Sequence, residues 1–148
     1  MSEEQARQRW MSVLAQASAS DVEHAWQSLE NRPTYRVLRG PETGSVMVRG
    51  RTGGTGAAFS LGEMTVTRCS VALEGGRVGH AYVGGRSAPH AEHAAVFDAL
   101  LQDVARRREL EAAVIGPLAE RREAARRRTA ARVAATRVEF FTMVRGDE

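Results

Sequence analysis

A chain of 148 residues with 43% hydrophobic content is about one domain long and can bury a core without disulfides or metal. Its lone Cys69 excludes an intrachain bridge, and residues 1–30 hold neither a basic start followed by an apolar run nor a span near the roughly twenty apolar residues of a membrane helix, so a cytoplasmic protein with one domain over residues 1–148 is expected. All 21 basic residues are arginine, and nine of them against five acids lie between Asp103 and Ala135, a net of +4 that leaves −1 for the remainder.

Ser2 and Gln5 fit a capping box, and Ala6, Trp10, Val13, Leu14 and Ala17 share one helical stripe, which predicts a first helix near residues 3–17. Ser20 with Glu23 repeats the box, and Val22, Ala25, Trp26 and Leu29 mark a second helix closed by Asn31 and Pro33. Two helices joined by a short turn suggest a DNA reader, but "DVEHAWQSLE" carries three acids and no arginine. Phosphates would repel that surface, so no nucleic-acid partner is expected.

From Tyr35 the period changes to two. "YRVLR", "SVMVRGR" and "EMTVTRCSVAL" are rich in β-branched residues, and Glu74, Gly75 and Gly76 before "RVGHAYV" read as a hairpin turn, so an antiparallel meander follows. Ser87 and Pro89 suit the start of a helix near Ala88, with Ala91, Ala94, Ala95, Leu101 and Val104 toward the sheet. Gly116 and Pro117 interrupt the pattern, and an Arg/Ala-rich helix then runs to about Ala135. Glu123 is spaced for ion pairs with Arg126 and Arg127, and the run reads as a solvated face or as a docking surface for an acidic partner. The ending "TRVEFFTMVRG" returns to strand character. The expected fold class is α+β: an antiparallel β-sheet over about 35–83, an N-terminal helical hairpin over about 3–30, C-terminal helices over about 88–135, and a C-terminal strand over about 137–145.

Six of the fourteen glycines fall in "PETGSVMVRGRTGGTGAAFSLGEMTVTRC". No lysine follows a glycine there and the dinucleotide spacing fails at Phe59, so neither named nucleotide loop is present. Gly53, Gly54 and Gly56, with Thr55 between them, read as a β-turn whose arginines pair with Glu42 and Glu63; the alternative is that they curve backbone N–H groups around an anion, with Arg49, Arg51 and Arg68 beside them. His90 and His93 sit at helical spacing, but the deaminase signature needs a Pro-Cys-x-x-Cys and the chain has one cysteine. A metal site built from His80, His90 and His93 is the weaker alternative to capping and surface roles, and no metal is expected. Cys69 within a strand reads as a small hydrophobe.

The glycine-rich block, "GHAYVGGRSAPHAEHAAVFDALLQ" and "TRVEFFTMVRG" together resemble the PhnG family of the bacterial carbon-phosphorus lyase system, and the likeness runs from "RQRWMSVLAQA" to Gly146. Ser87 stands where the family pattern leads one to expect an acid. The resemblance implies a subunit of a multisubunit enzyme that exchanges the adenine of ATP for an alkylphosphonate, giving a ribose 1-alkylphosphonate 5-triphosphate. It implies PhnI-, PhnH- and PhnJ-type partners, two or more copies, no membrane, and no cofactor on this chain; a later step uses an iron-sulfur cluster with S-adenosylmethionine on another subunit. It carries over no catalytic residue. A scaffold for the nucleosidase PhnI and a subunit lending its own anion-binding arginines both fit, and the apolar strand residues Val138, Phe140, Phe141 and Met143 are the candidate subunit interface.

Overall fold

The computed structural model describes residues 1–51, 56 and 58–145. Helix α1 spans Glu3–Gln16, and its Ser2/Gln5 capping box is formed in both directions. Trp10, Val13 and Leu14 are buried, as the stripe requires. Helix α2 spans Ala19–Ser28, with one correction at its start: Ser18, not Ser20, is the cap, and its Oγ accepts from the Asp21 N–H at 3.1 Å.

Strands β1 (Tyr35–Arg51), β2 (Ala58–Leu73) and β3 (Val78–Gly84) form the expected antiparallel meander in the order β1-β2-β3. "YRVLR" and "SVMVRGR" belong to one long strand, bent at Gly40, whose φ of +78° suits glycine. The β2–β3 turn closes with Leu73 N–H donating to Arg77 O and Gly76 N–H to Leu73 O, both at 2.8 Å.

Helix α3 (Ala88–Leu101) starts where Ser87 caps it, its Oγ accepting from the His90 N–H at 3.2 Å. From His90 onward nearly every residue is buried, Glu92 and His93 only partly, because the sheet covers one flank and α1 and α2 the other. Cys69, Val71, Ala81 and Val83 supply the sheet's half of the core. Gly79 permits the close approach, since a Cβ there would collide with the Ala95 carbonyl and lie 2.8 Å from Ala99 Cβ. Among the described residues no helix covers the opposite face of the sheet, where Tyr82 stands 55% exposed.

Val104 departs from expectation. It opens a separate helix, α4 (Val104–Leu110), capped by Asp103, and stands 71% exposed rather than facing the sheet. Nor do Gly116 and Pro117 break the chain's helical course. A π-turn over Glu111–Ile115 leads straight into α5 (Gly116–Arg145), and Gly116 N–H donates to Glu111 O five residues back. Pro117 has no N–H to offer the preceding turn, so the widened turn absorbs its mismatch. The strand expected over 137–145 is corrected in the same way: those residues continue α5. Among the described residues no β-ladder includes them, whereas the Ala/Arg-rich run before them is a strong helix former that propagates onward.

Candidate functional site

The most polar point of the interior is Asp98, fully buried on α3. Its Oδ1 accepts from Arg7 Nε at 3.1 Å and Trp10 Nε1 at 2.9 Å; its Oδ2 accepts from Arg7 Nη2 and the His80 backbone N–H, both at 2.9 Å. This network ties α1, β3 and α3 together. Every lone pair is engaged by the fold itself, which makes Asp98 a structural anchor that the sequence reading did not single out.

The histidines do not converge. His90 Nε2 lies 2.8 Å from the Leu14 carbonyl in the core. His93 stacks on Trp26 at 4.4 Å between centroids, while His80 sits on the sheet's uncovered face with Nδ1 2.8 Å from Ser70 Oγ. Among the described residues no group of three or more His, Cys, Asp or Glu is placed to hold a metal ion. Cys69 is buried, and burial with the nearby Glu92 charge pushes its thiol up to about 11, so it stays a neutral hydrophobe at pH 7. Burial and a 2.6 Å hydrogen bond donated to Glu92 likewise push the Tyr35 phenol upward.

Burial against Trp26 lowers the His93 pKa from 6.5, and the Glu23 carboxylate opposes that only in part. Glu23 lies 3.2 Å from Nδ1 without the alignment of a hydrogen bond. A base whose folded pKa is depressed stabilises the fold fully above its unfolded value and loses that contribution as pH falls below it. Stability should therefore decline as pH drops from about 7 toward about 5. In His93→Phe, which keeps a ring on Trp26 but removes the titration, thermal melts across that range should show a shallower decline; an unchanged slope would refute the assignment.

The glycine and arginine residues singled out in the sequence are spread along a long β1–β2 ribbon. Arg68 faces Glu42 across the ladder, where the ribbon joins β3, and pairs with it at 3.0 Å. Arg49 is seven residues farther along β1 than Glu42, about 23 Å at strand rise. Arg49 and Arg51 belong to the ribbon's tip, opposite Ser60 and Ala58. Arg68 thus cannot share one small anion with them. Gly56 is in a bend, while Gly53, Gly54 and Thr55 lie outside the described residues.

The ribbon itself is the feature that sequence reasoning undervalued. β3 pairs only as far as Val66, so beyond Gly44 and Val66 the hairpin is a two-stranded arm roughly 25 Å long. Val46, Met47 and Val48 are consecutive, hence apolar groups point from both of its faces, joined by Met64, Phe59 and Leu61. All six are exposed, Met47 by 54% and Leu61 by 62%. Phe59 and Leu61 both lie over Gly50, where a Cβ would meet them at 3.4 and 3.1 Å. A two-stranded ribbon alone is marginal in water, and such a patch marks a contact surface. Val138, Phe140, Phe141 and Met143, expected on a strand, fall instead on the last turns of α5. No helix among the described residues is long and apolar enough to cross a membrane.

Residues 5–146 match the family model described as Phosphonate metabolism protein PhnG. The chain is also 46% identical over 142 residues, covering 96% of its own length and 90% of the relative's, to the alpha-D-ribose 1-methylphosphonate 5-triphosphate synthase subunit PhnG of Rhizobium meliloti (strain 1021).

Proposed function

The chain belongs to the PhnG family, and on that premise we propose that it serves phosphonate metabolism as a non-autonomous subunit of a ribose 1-methylphosphonate 5-triphosphate synthase. Its part is to scaffold a PhnI-type nucleosidase subunit in a complex that also holds PhnH- and PhnJ-type subunits, with two or more copies of this chain. In the reaction a phosphonate oxygen bonds to C1′ of the ATP ribose as the bond to adenine breaks, and the departing base takes up a proton.

The observation that carries this reading is the arm. Six exposed apolar residues on both faces of a two-stranded ribbon suit insertion into a partner better than a catalytic surface. The terminal turns of α5, with Val138, Phe140, Phe141 and Met143, are the second candidate contact. Chromatography for adenine tests the proposal. The purified chain with ATP and methylphosphonate should release none, the mixture with its partner subunits should release it, and omitting this chain should stop that release. Adenine released by the chain alone would overturn the scaffold role.

A further inference from the structure

The β-ladder arranges the sheet's uncovered face as rows. Glu42, Arg68 and Tyr82 lie side by side across β1, β2 and β3, and Arg39, Ser70 and His80 form the next row. Between the rows is a concavity of about 250 Å3 lined by Arg39, Arg68, Ser70, His80 and Tyr82. Ser70 Oγ and His80 Nδ1 are 2.8 Å apart, and Arg68 Nη1 is 3.5 Å from the Tyr82 hydroxyl. Glu42 is the counter-charge: it accepts from Arg68 Nε at 3.1 Å, with Arg68 Nη2 3.0 Å from the same oxygen, which leaves Arg68 its Nη1 side, whereas Arg39 Nε stands 3.8 Å away, beyond hydrogen-bond length. Two guanidiniums against one carboxylate leave a positive excess, with Arg39 donors uncommitted to Glu42.

We propose that this concavity binds a tetrahedral oxyanion, a phosphonate or phosphate group, held by the forked donors of Arg39 and Arg68 and by the Ser70, Tyr82 and His80 side chains. The proposal rests on the reading that the chain serves a phosphonate-handling synthase, and it assigns the anion contact to the body of the sheet instead of the glycine-rich tip. Donors converging from all three strands fit a tetrahedral ligand, where a planar carboxylate would need a single fork. The volume is room for about eight waters. It admits one small anion but falls below the roughly 300–1,000 Å3 of sites that enclose a whole organic ligand. The site is also held firmly. β2 is laddered on both sides, and the His80 backbone is hydrogen-bonded to buried Asp98 at 2.9 Å.

The test is a titration of the full chain with inorganic phosphate, methylphosphonate, ATP and, as the planar control, acetate, followed by amide chemical shifts. Phosphate and methylphosphonate should give saturable shifts at Ser70, His80 and Tyr82 and compete with each other, and acetate should not. Arg39→Ala and Arg68→Ala should each weaken binding about ten-fold or more, with the melting temperature unchanged and co-purification with partner subunits retained. Stronger saturation by methylphosphonate than by phosphate would identify the phosphonate as the source, and the reverse order would identify a phosphate. Saturation by ATP without either small anion overturns the assignment, as does silence toward every anion in both the chain and the complex. Arg39→Ala that binds anions normally but no longer co-purifies would overturn it in favour of a protein contact on this face. The scaffold role is judged separately, since adenine release by the assembled complex can succeed while the titration is silent.

Discussion

Asp98→Ala is expected to cost about 3–5 kcal/mol of folding stability, because it strands donors that cannot reach water. Asp98 is fully buried, and the Trp10 indole that it satisfies is 1% exposed. Without the carboxylate, Trp10 Nε1 and the His80 N–H lose their acceptor and the Arg7 guanidinium loses its counter-charge. At roughly 2–4 °C per kcal/mol for a chain of this size, the melting temperature should fall by about 10 °C. Asp98→Asn should be nearly as harmful, since its amide would turn a donor toward donors already aimed at that site. Arg7→Ala should cost less, about 1–2 kcal/mol, because the Arg7 side chain is 38% exposed and water screens the pair. Added to Asp98→Ala it should cost little more, as both remove the same contact. A melting temperature for Asp98→Ala within about 2 °C of the parent, about 1 kcal/mol, would show that the network is not what joins α1 to the sheet.

That network also shows where sequence reading ends. The Ser2/Gln5 box, the Trp10–Leu14 stripe and the Ser87 cap were legible because their partners lie within one helical turn. Asp98 was not, because its ligands Arg7 and Trp10 are 91 and 88 residues away. Alternation misled at "VEFFTMV", where β-branched and aromatic residues read as strand. A strand needs a ladder, and this segment follows a long helix that continues at small cost per residue. Likewise the apolar run "SVMV" and the glycines after it announced a hairpin correctly. The end of the third strand was legible in the Gly84–Gly85 pair, but not that the hairpin runs on beyond it without a third strand alongside. Arg68 was recognised as a candidate, while Arg39, Ser70, His80 and Tyr82 became its neighbours only once the strand register was fixed.

The uncovered arm carries the other large prediction: Met47→Asp with Leu61→Asp should abolish stable association with the PhnI-type partner while leaving the isolated chain folded. Met47 and Leu61 are more than half exposed, so the chain alone loses little burial, and aspartate's poor strand propensity costs about 1 kcal/mol at most per site. In the complex the same positions would be enclosed. Each change then removes on the order of 1 kcal/mol of remaining apolar burial and sets a carboxylate in an apolar contact, at a further 2 kcal/mol or so. Two such sites sum to several kcal/mol, a hundred-fold or greater loss of affinity that size-exclusion chromatography of the mixed subunits would detect. Met47→Asp alone and Val46→Asp with Val48→Asp separate the arm's two faces, because Val46 and Val48 alternate with Met47 and Leu61 lies over Gly50 on the Val48 side. If the partner encloses the arm, both of these face-specific variants should disrupt assembly; if it lies flat against one face, only one should. Full co-purification of both variants would sink the arm as the docking element and leave the terminal turns of α5 to be tested by deleting residues 138–148.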